Sequence, residues 1–195
     1  MFIFGVIFAL VAGILFGLIG PTTKIAYNSG ASVALTIFLR YAVASIIIVP
    51  FIPYQKNLLE IFKKKLKYFL SISAGSILLT LGLLTSVIFI EVSLTILIFC
   101  LYPIYVLLFS IIVDKEKISL TVKILFFVTF LGIVLVIGPS FKVINIVGIL
   151  LAFLASLGST SMIIVNQKMS IKGISPIPIN IFINVFNTIF FFVIL

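Results

Sequence analysis

Long apolar runs separated by short polar stretches make up nearly the whole chain. The hydrocarbon core of a bilayer is about 30 Å thick, so a spanning helix needs ~20 predominantly apolar residues. Seven segments fit that description: 2–22, 31–53, 68–89, 92–113, 121–138, 144–165 and 176–195. Residues 68–113 form one apolar run of 46 residues. As a single helix this run would be ~69 Å long at ~1.5 Å per residue, too long for one crossing. It is expected to fold back at Glu91. The runs are too long and too evenly apolar for barrel strands, which alternate over ~10 residues. The pattern predicts an all-α integral membrane protein, a helical bundle of about seven transmembrane helices.

Composition agrees. Hydrophobic residues make up 64% and charged residues 9% of the chain, and the mean hydropathy is +1.50. Soluble domains carry roughly a quarter charged residues, so the solvent for most of this chain is lipid. The first run starts at Met1 with no basic stretch and no small-residue cleavage site. It reads as a true span and not as a signal peptide.

The net charge of +9 would suggest nucleic acid in a soluble protein. Here the basic residues sit between apolar runs and set orientation instead, and no nucleic-acid partner is expected. With a cytoplasmic amino terminus, the inner loops hold Lys56, Lys63, Lys64, Lys65, Lys67, Lys115, Lys117, Lys123, Lys168 and Lys172. The outer loops hold only Lys24 and Lys142. That asymmetry places the amino end inside, by default in a prokaryotic plasma membrane.

Shifting the sequence by 143 residues superposes Gly5 on Gly148, Ala9 on Ala152, Ala12 on Ala155, Gly30 on Gly173 and Ser32 on Ser175. The repeat unit would hold five spans. An odd number makes the second copy enter from the opposite side, an inverted-repeat plan that secondary transporters use around a midplane site. Residues 1–138 would be one five-helix repeat and 144–195 the incomplete beginning of a second. The chain is accordingly expected to be part of a longer protein. A natural short form would complete itself as a homodimer.

Several motifs along the first repeat carry a family resemblance. Phe16-Gly17 is followed by Pro21 and Lys24; Phe38-Leu39-Arg40-Tyr41 lies in the second span; Tyr102-Pro103-Ile104-Tyr105-Val106 lies in the fourth. Lys115-Glu116-Lys117-Ile118 and then Leu131-Gly132-Ile133-Val134-Leu135 follow. In order and spacing these resemble the EamA family of the drug/metabolite transporter superfamily, although Phe16 stands where tryptophan is frequent. The resemblance implies ten spans in the complete protein. It also implies secondary transport, by export or uptake, of small metabolites such as amino acids or drugs.

Arg40 is the one basic residue well inside a span. Charge at depth is costly and usually faces a cavity or a partner. Arg40 would clamp a substrate carboxylate or act as a gating charge; the alternative is a snorkelling or structurally paired arginine. Glu91 would serve coupling or gating, pair with Arg40, or be a solvated turn residue. Asn180, Asn184 and Asn187 share one helical face by their spacing, and would line a polar pathway or join helices. Tyr102 and Pro103 interrupt the fourth span, as a gate or as a static bend. Gly13 with Gly17, Gly82 with Ser86, and Ser156 with Thr160 are small-residue pairs suited to close packing. The Lys63, Lys64, Lys65 and Lys67 cluster would orient the chain and attract anionic headgroups.

Enzymatic chemistry finds little footing. The chain has no histidine, the spans hold no aspartate, and Cys100 has no evident activating partner. No catalytic residue, metal ligand or cofactor is expected. Phosphate-cradling glycine loops are also absent from the sequence, which argues against ATP-driven transport. The expected partners are a small-molecule substrate and the lipid bilayer. A non-transporting membrane subunit that binds another protein is the alternative reading.

Overall fold

The computed structural model describes residues 2–54, 58–115, 118–137 and 144–195; Lys56, Glu116, Lys117 and Lys142 lie outside these. The described residues form ten α-helices: α1 (Phe2–Gly17), α2 (Ile19–Asn28), α3 (Val33–Ile48), α4 (Leu58–Lys64), α5 (Leu66–Phe89), α6 (Val92–Phe99), α7 (Tyr102–Ile112), α8 (Leu120–Ile137), α9 (Ile146–Ile171) and α10 (Pro176–Ile194). Five stretches among them are long and apolar enough to cross a membrane: Phe4–Asn28, Leu66–Phe89, Val92–Ile112, Ile146–Ile171 and Pro176–Ile194. Val33–Ile48 and Leu120–Leu135 are apolar but shorter. The second expected span, 31–53, is helical only to Ile48 and continues as a 3-10 turn, Val49–Tyr54. Pro50 and Pro53 lie in that turn and lack the amide proton that α-helix continuation requires.

The α5–α6 hairpin turns at Ile90 and Glu91, both extended, as the over-long apolar run demanded. The fourth span breaks at Cys100 and Leu101, directly ahead of Pro103. Proline cannot donate, so the ladder tightens there: the Ile104 and Tyr105 amides both donate to the Leu101 carbonyl, at 2.9 and 3.2 Å. The Thr160 hydroxyl of α9 shares its one proton between the Ser156 carbonyl at 2.9 Å and the Tyr102 carbonyl at 3.3 Å.

α5 and α9 form the central antiparallel pair. Their seam is made of glycines whose missing side chains let the backbones meet. A Cβ on Gly82 would lie 2.5 Å from the Leu151 carbonyl oxygen, and one on Gly158 would lie 2.5 Å from the Leu79 amide nitrogen. Close approach through small residues is how helices associate where lipid offers no hydrophobic drive. α3 and α10 make a second antiparallel pair beside it. Ser45 and Thr188 hydroxyls hydrogen-bond at 3.0 Å, Tyr41 stacks on Phe191, and Phe38 meets Phe192. Ile37, Phe69, Ile72, Leu84, Ile183 and Phe191 fill the core between the two pairs. α4 is held to one end of the bundle by Phe62, which packs on Phe69 and Phe182.

The connections after α2 and α9 have the same build. Gly30 and Gly173 adopt positive φ, +89° and +74°, a conformation that glycine adopts without penalty. Ala31 donates back to the Ala26 carbonyl as Ile174 does to that of Met169, at 3.0 and 3.2 Å. Ser32 and Ser175 then precede α3 and α10 in the same extended conformation, although only Ser32 caps its helix, accepting from the Leu35 amide.

Basic residues separated by a hundred positions collect at one end. Lys172 Nζ donates to the Tyr68 hydroxyl and lies 4.0 Å from its ring centroid. Lys168 approaches Asp114 at 3.9 Å. Lys64 pairs with Glu60 one helical turn earlier, and that hydrogen bond draws the Glu60 carboxyl below its ordinary range.

Candidate substrate pathway

Arg40 occupies the middle of α3 and lines a cavity of ≈ 380 Å³ with Ile19, Thr22, Thr23, Ala26, Thr36 and Leu84. α2 brings Thr22 and Thr23 there because it continues α1 through a helical Leu18 and packs on α5, while Thr36 comes from α3. The Thr22 hydroxyl donates to the Leu18 carbonyl at 2.6 Å and the Thr36 hydroxyl to the Ser32 carbonyl at 2.9 Å. Their oxygens keep lone pairs free to accept. Among the described residues Arg40 forms no ion pair. A guanidinium without an acidic partner is a docking point for a carboxylate or phosphate, which its planar fork matches.

Glu91 is elsewhere. It lines a cavity of ≈ 400 Å³ with Lys24, Phe89, Val92 and Ser93. Lys24 Nζ donates to the Val87 carbonyl at 2.9 Å, one of the carbonyls that the end of α5 leaves without a helical partner. Glu91 sits at the start of α6 but its side chain makes no capping hydrogen bond. Glu91 and Arg40 thus face separate cavities on either side of α2 and do not pair.

The three asparagines of α10 meet three different surroundings. Asn180 is exposed, donates to the Pro176 carbonyl at 3.0 Å, and lines a cavity of ≈ 200 Å³ with Ile72, Ser159, Met162, Asn166 and Ile179. Asn184 is half-buried and donates to the Asn180 carbonyl at 2.8 Å. Asn187 is fully buried and Nδ2 donates to Ser76 Oγ at 3.1 Å.

That last bond belongs to a cluster that motif reading did not single out. The Tyr41 hydroxyl lies 2.7 Å from both Ser76 Oγ and Thr80 Oγ1. Tyr41, Ser76, Thr80 and Asn187 are all buried. Asn187 Oδ1 has no hydrogen-bond partner among the described residues. The signal for it in the sequence was the i, i+4 spacing of Ser76 and Thr80 on the longest apolar run, which puts two hydroxyls on one face.

Tyr102 opens α7 and packs its ring on Phe99 at 5.2 Å. Pro103 lines an apolar cavity of ≈ 240 Å³ with Cys100, Ile104, Leu125, Phe126 and Phe130. These two residues are not brought together with Arg40 or the asparagines.

The family model described as the EamA-like transporter family matches residues 3–138. No curated protein and no solved structure matches the chain.

Proposed function

The chain belongs to the EamA-like transporter family of the drug/metabolite transporter superfamily, and from that premise we propose secondary transport of small metabolites that carry an anionic group. The family is one of multi-pass membrane transporters and not of enzymes. The observation that carries the anionic reading is Arg40, mid-helix in a hydroxyl-lined cavity without an acidic neighbour among the described residues. Arg40 is exposed on the surface of this chain; a guanidinium at membrane depth is costly, and a solute carboxylate entering the cavity offsets that cost.

In this reading residues 1–138 are one five-helix repeat and 144–195 begin an inverted second one. Two features support it: the matched turns at Gly30 and Gly173, and the hydrogen bond between Ser45 and Thr188. Those two residues are 143 positions apart, the repeat offset itself, and residues meeting their own images mark an approximate two-fold axis. The gathering of Lys168 and Lys172 near Tyr68 and Asp114 supports a cytoplasmic location for that end. The amino terminus is then cytoplasmic in a cell membrane. Glu91, opposite Lys24 in its own cavity, gates the outer mouth. Tyr102 and Pro103 form a hinge in the fourth span.

The test is flux in proteoliposomes with a radiolabelled panel of carboxylate-bearing and neutral metabolites. Arg40→Gln should lower flux of carboxylates by ~10- to 100-fold, the loss of one charged hydrogen-bonded contact. Arg40→Lys should retain part of it. Wild-type flux by Arg40→Gln would remove Arg40 from the pathway.

A further inference from the structure

The cavity at Arg40 and the cavity at Asn180 are built from corresponding positions. Ile19, Thr23, Thr36 and Arg40 line the first; Met162, Asn166, Ile179 and Ile183 line the second. Each of the second set stands 143 residues after its counterpart. The two cavities lie at opposite ends of the bundle. Both use the first half of their helix, α3 or α10, and these helices run antiparallel, as the Ser45–Thr188, Tyr41–Phe191 and Phe38–Phe192 contacts require. α5 agrees: the first cavity reaches Leu84 and the second reaches Ile72 and Leu79, both earlier on the helix. Five to twelve residues of helix separate those levels by ~8 to 18 Å.

The buried cluster borders both, with Thr80 between Leu79 and Leu84 on α5. Ser76 and Thr80 follow Ile72 and precede Leu84 at steps of four residues along one face of α5. Tyr41 is next to Arg40 in sequence, and Asn187 is one turn beyond Ile183. All four cluster side chains are at most 6% exposed, so the polar septum is closed. An unpaired acceptor at Asn187 Oδ1 leaves this closed arrangement short of one hydrogen bond, a cost that a second arrangement of the helices can relieve.

We propose that the Asn180 cavity is a second substrate station, lined by Asn166, Asn180 and Ser159, and that the Tyr41–Ser76–Thr80–Asn187 septum separates it from the Arg40 station. The first station holds the anionic group by charge. The second offers only amides and hydroxyls and takes the uncharged hydrogen-bonding part of the same solute. The difference lets a solute leave after it has been held. This inference rests on the pathway reading above, and its test does not depend on any transported solute.

The experiment labels cysteines introduced in a Cys100→Ser background, using a membrane-impermeant thiol reagent on oriented vesicles. Thr36→Cys should react from one side and Asn166→Cys from the other, each ~10-fold faster than from the opposite side, because thiol reactivity follows access. Reaction of both from the same side overturns the two-station arrangement, whatever the fate of Arg40→Gln in flux. Tyr41→Phe with Asn187→Ala should make both positions reactive from either side. Unchanged sidedness in that well-folded variant, or in Tyr41→Phe alone should the pair misfold, overturns the septum.

Discussion

The stretches Phe4–Asn28 and Ile146–Ile171 are of nearly equal length and of nearly equal mean hydropathy, 2.3 and 2.1, yet the first half of one, α1, is bare while one face of the other is buried. On α9, Gly148, Ala152, Ala155, Ser156, Gly158 and Ser159 are buried, mostly against α5. On α1 the corresponding small residues have nothing beside them: a Cβ added to Gly5, Gly13 or Gly17 would meet no atom within 4 Å, and Phe4, Phe8 and Ile14 are exposed. Apolar content therefore did not choose which helix is central. In lipid an exposed leucine costs nothing, and packing of small residues against a shaped partner decides. α9 has that partner in the Gly75 and Gly82 face of α5. The small pair Gly13 and Gly17 is suited to the same use but finds no partner among the described residues.

The comparison can be broken most directly at the glycines. Gly158→Leu would drive a side chain into the Leu79 and Gly75 backbone of α5 and should lower stability by ~3 kcal/mol. Gly13→Leu adds a side chain to open space and should change stability by less than about 0.5 kcal/mol. Reversible unfolding in mixed micelles measures both. Equal losses would mean that α1 is packed after all.

A smaller difference should separate two asparagines of one helix. Asn187→Leu removes the buried bond to Ser76 and should cost ~1 kcal/mol, whereas Asn184→Leu gives up only a bond to its own backbone and should cost less than half of that. The same unfolding assay decides, and a larger loss at Asn184 would contradict the placement of the buried cluster. Thr160→Val tests the seam at a polar point. Removing its bond to the Tyr102 carbonyl should cost ~0.6 kcal/mol and increase hydrogen exchange at the α6–α7 break. Unaltered exchange there would mean that Thr160 does not hold the break.

The smallest expected effect lies outside the bundle core. The Glu60 carboxyl is drawn low by its hydrogen bond to Lys64, so the pair's support for α4 is present above the ordinary carboxylate range. It fades as pH falls through the lowered value. Lys64→Gln should remove that pH dependence in amide exchange of α4 while leaving α1 and α9 unchanged.

Much of the architecture was readable from residue order. The apolar run through residues 68–113 required a reversal, and Glu91 with its neighbour Ile90 supplies it. Pro103 required a break, and α6 ends at Phe99. Arg40 stood out as charge inside an apolar segment because lipid makes such a residue conspicuous. The pathway was less readable. The asparagine spacing on α10 promised one polar face, but only Asn187 is drawn into the core, since neighbouring helices cover the end of that face and leave its start open. Tyr41, Ser76 and Thr80 are ordinary residues in apolar helices, and only the packing of α3, α5 and α10 brings their hydroxyls together.

Sequence alone determined which segments are helical and apolar, where they turn, and which family the chain resembles, because those properties depend on neighbours along the chain and on the thickness of a bilayer. Tertiary structure alone decided which glycine faces meet, that Glu91 and Arg40 occupy separate cavities, and that two cavities built from corresponding positions border a closed polar cluster. Those outcomes rest on which helix surfaces fit one another. In a solvent that rewards no apolar burial, fit is settled by shape and hydrogen bonding between residues far apart in the chain.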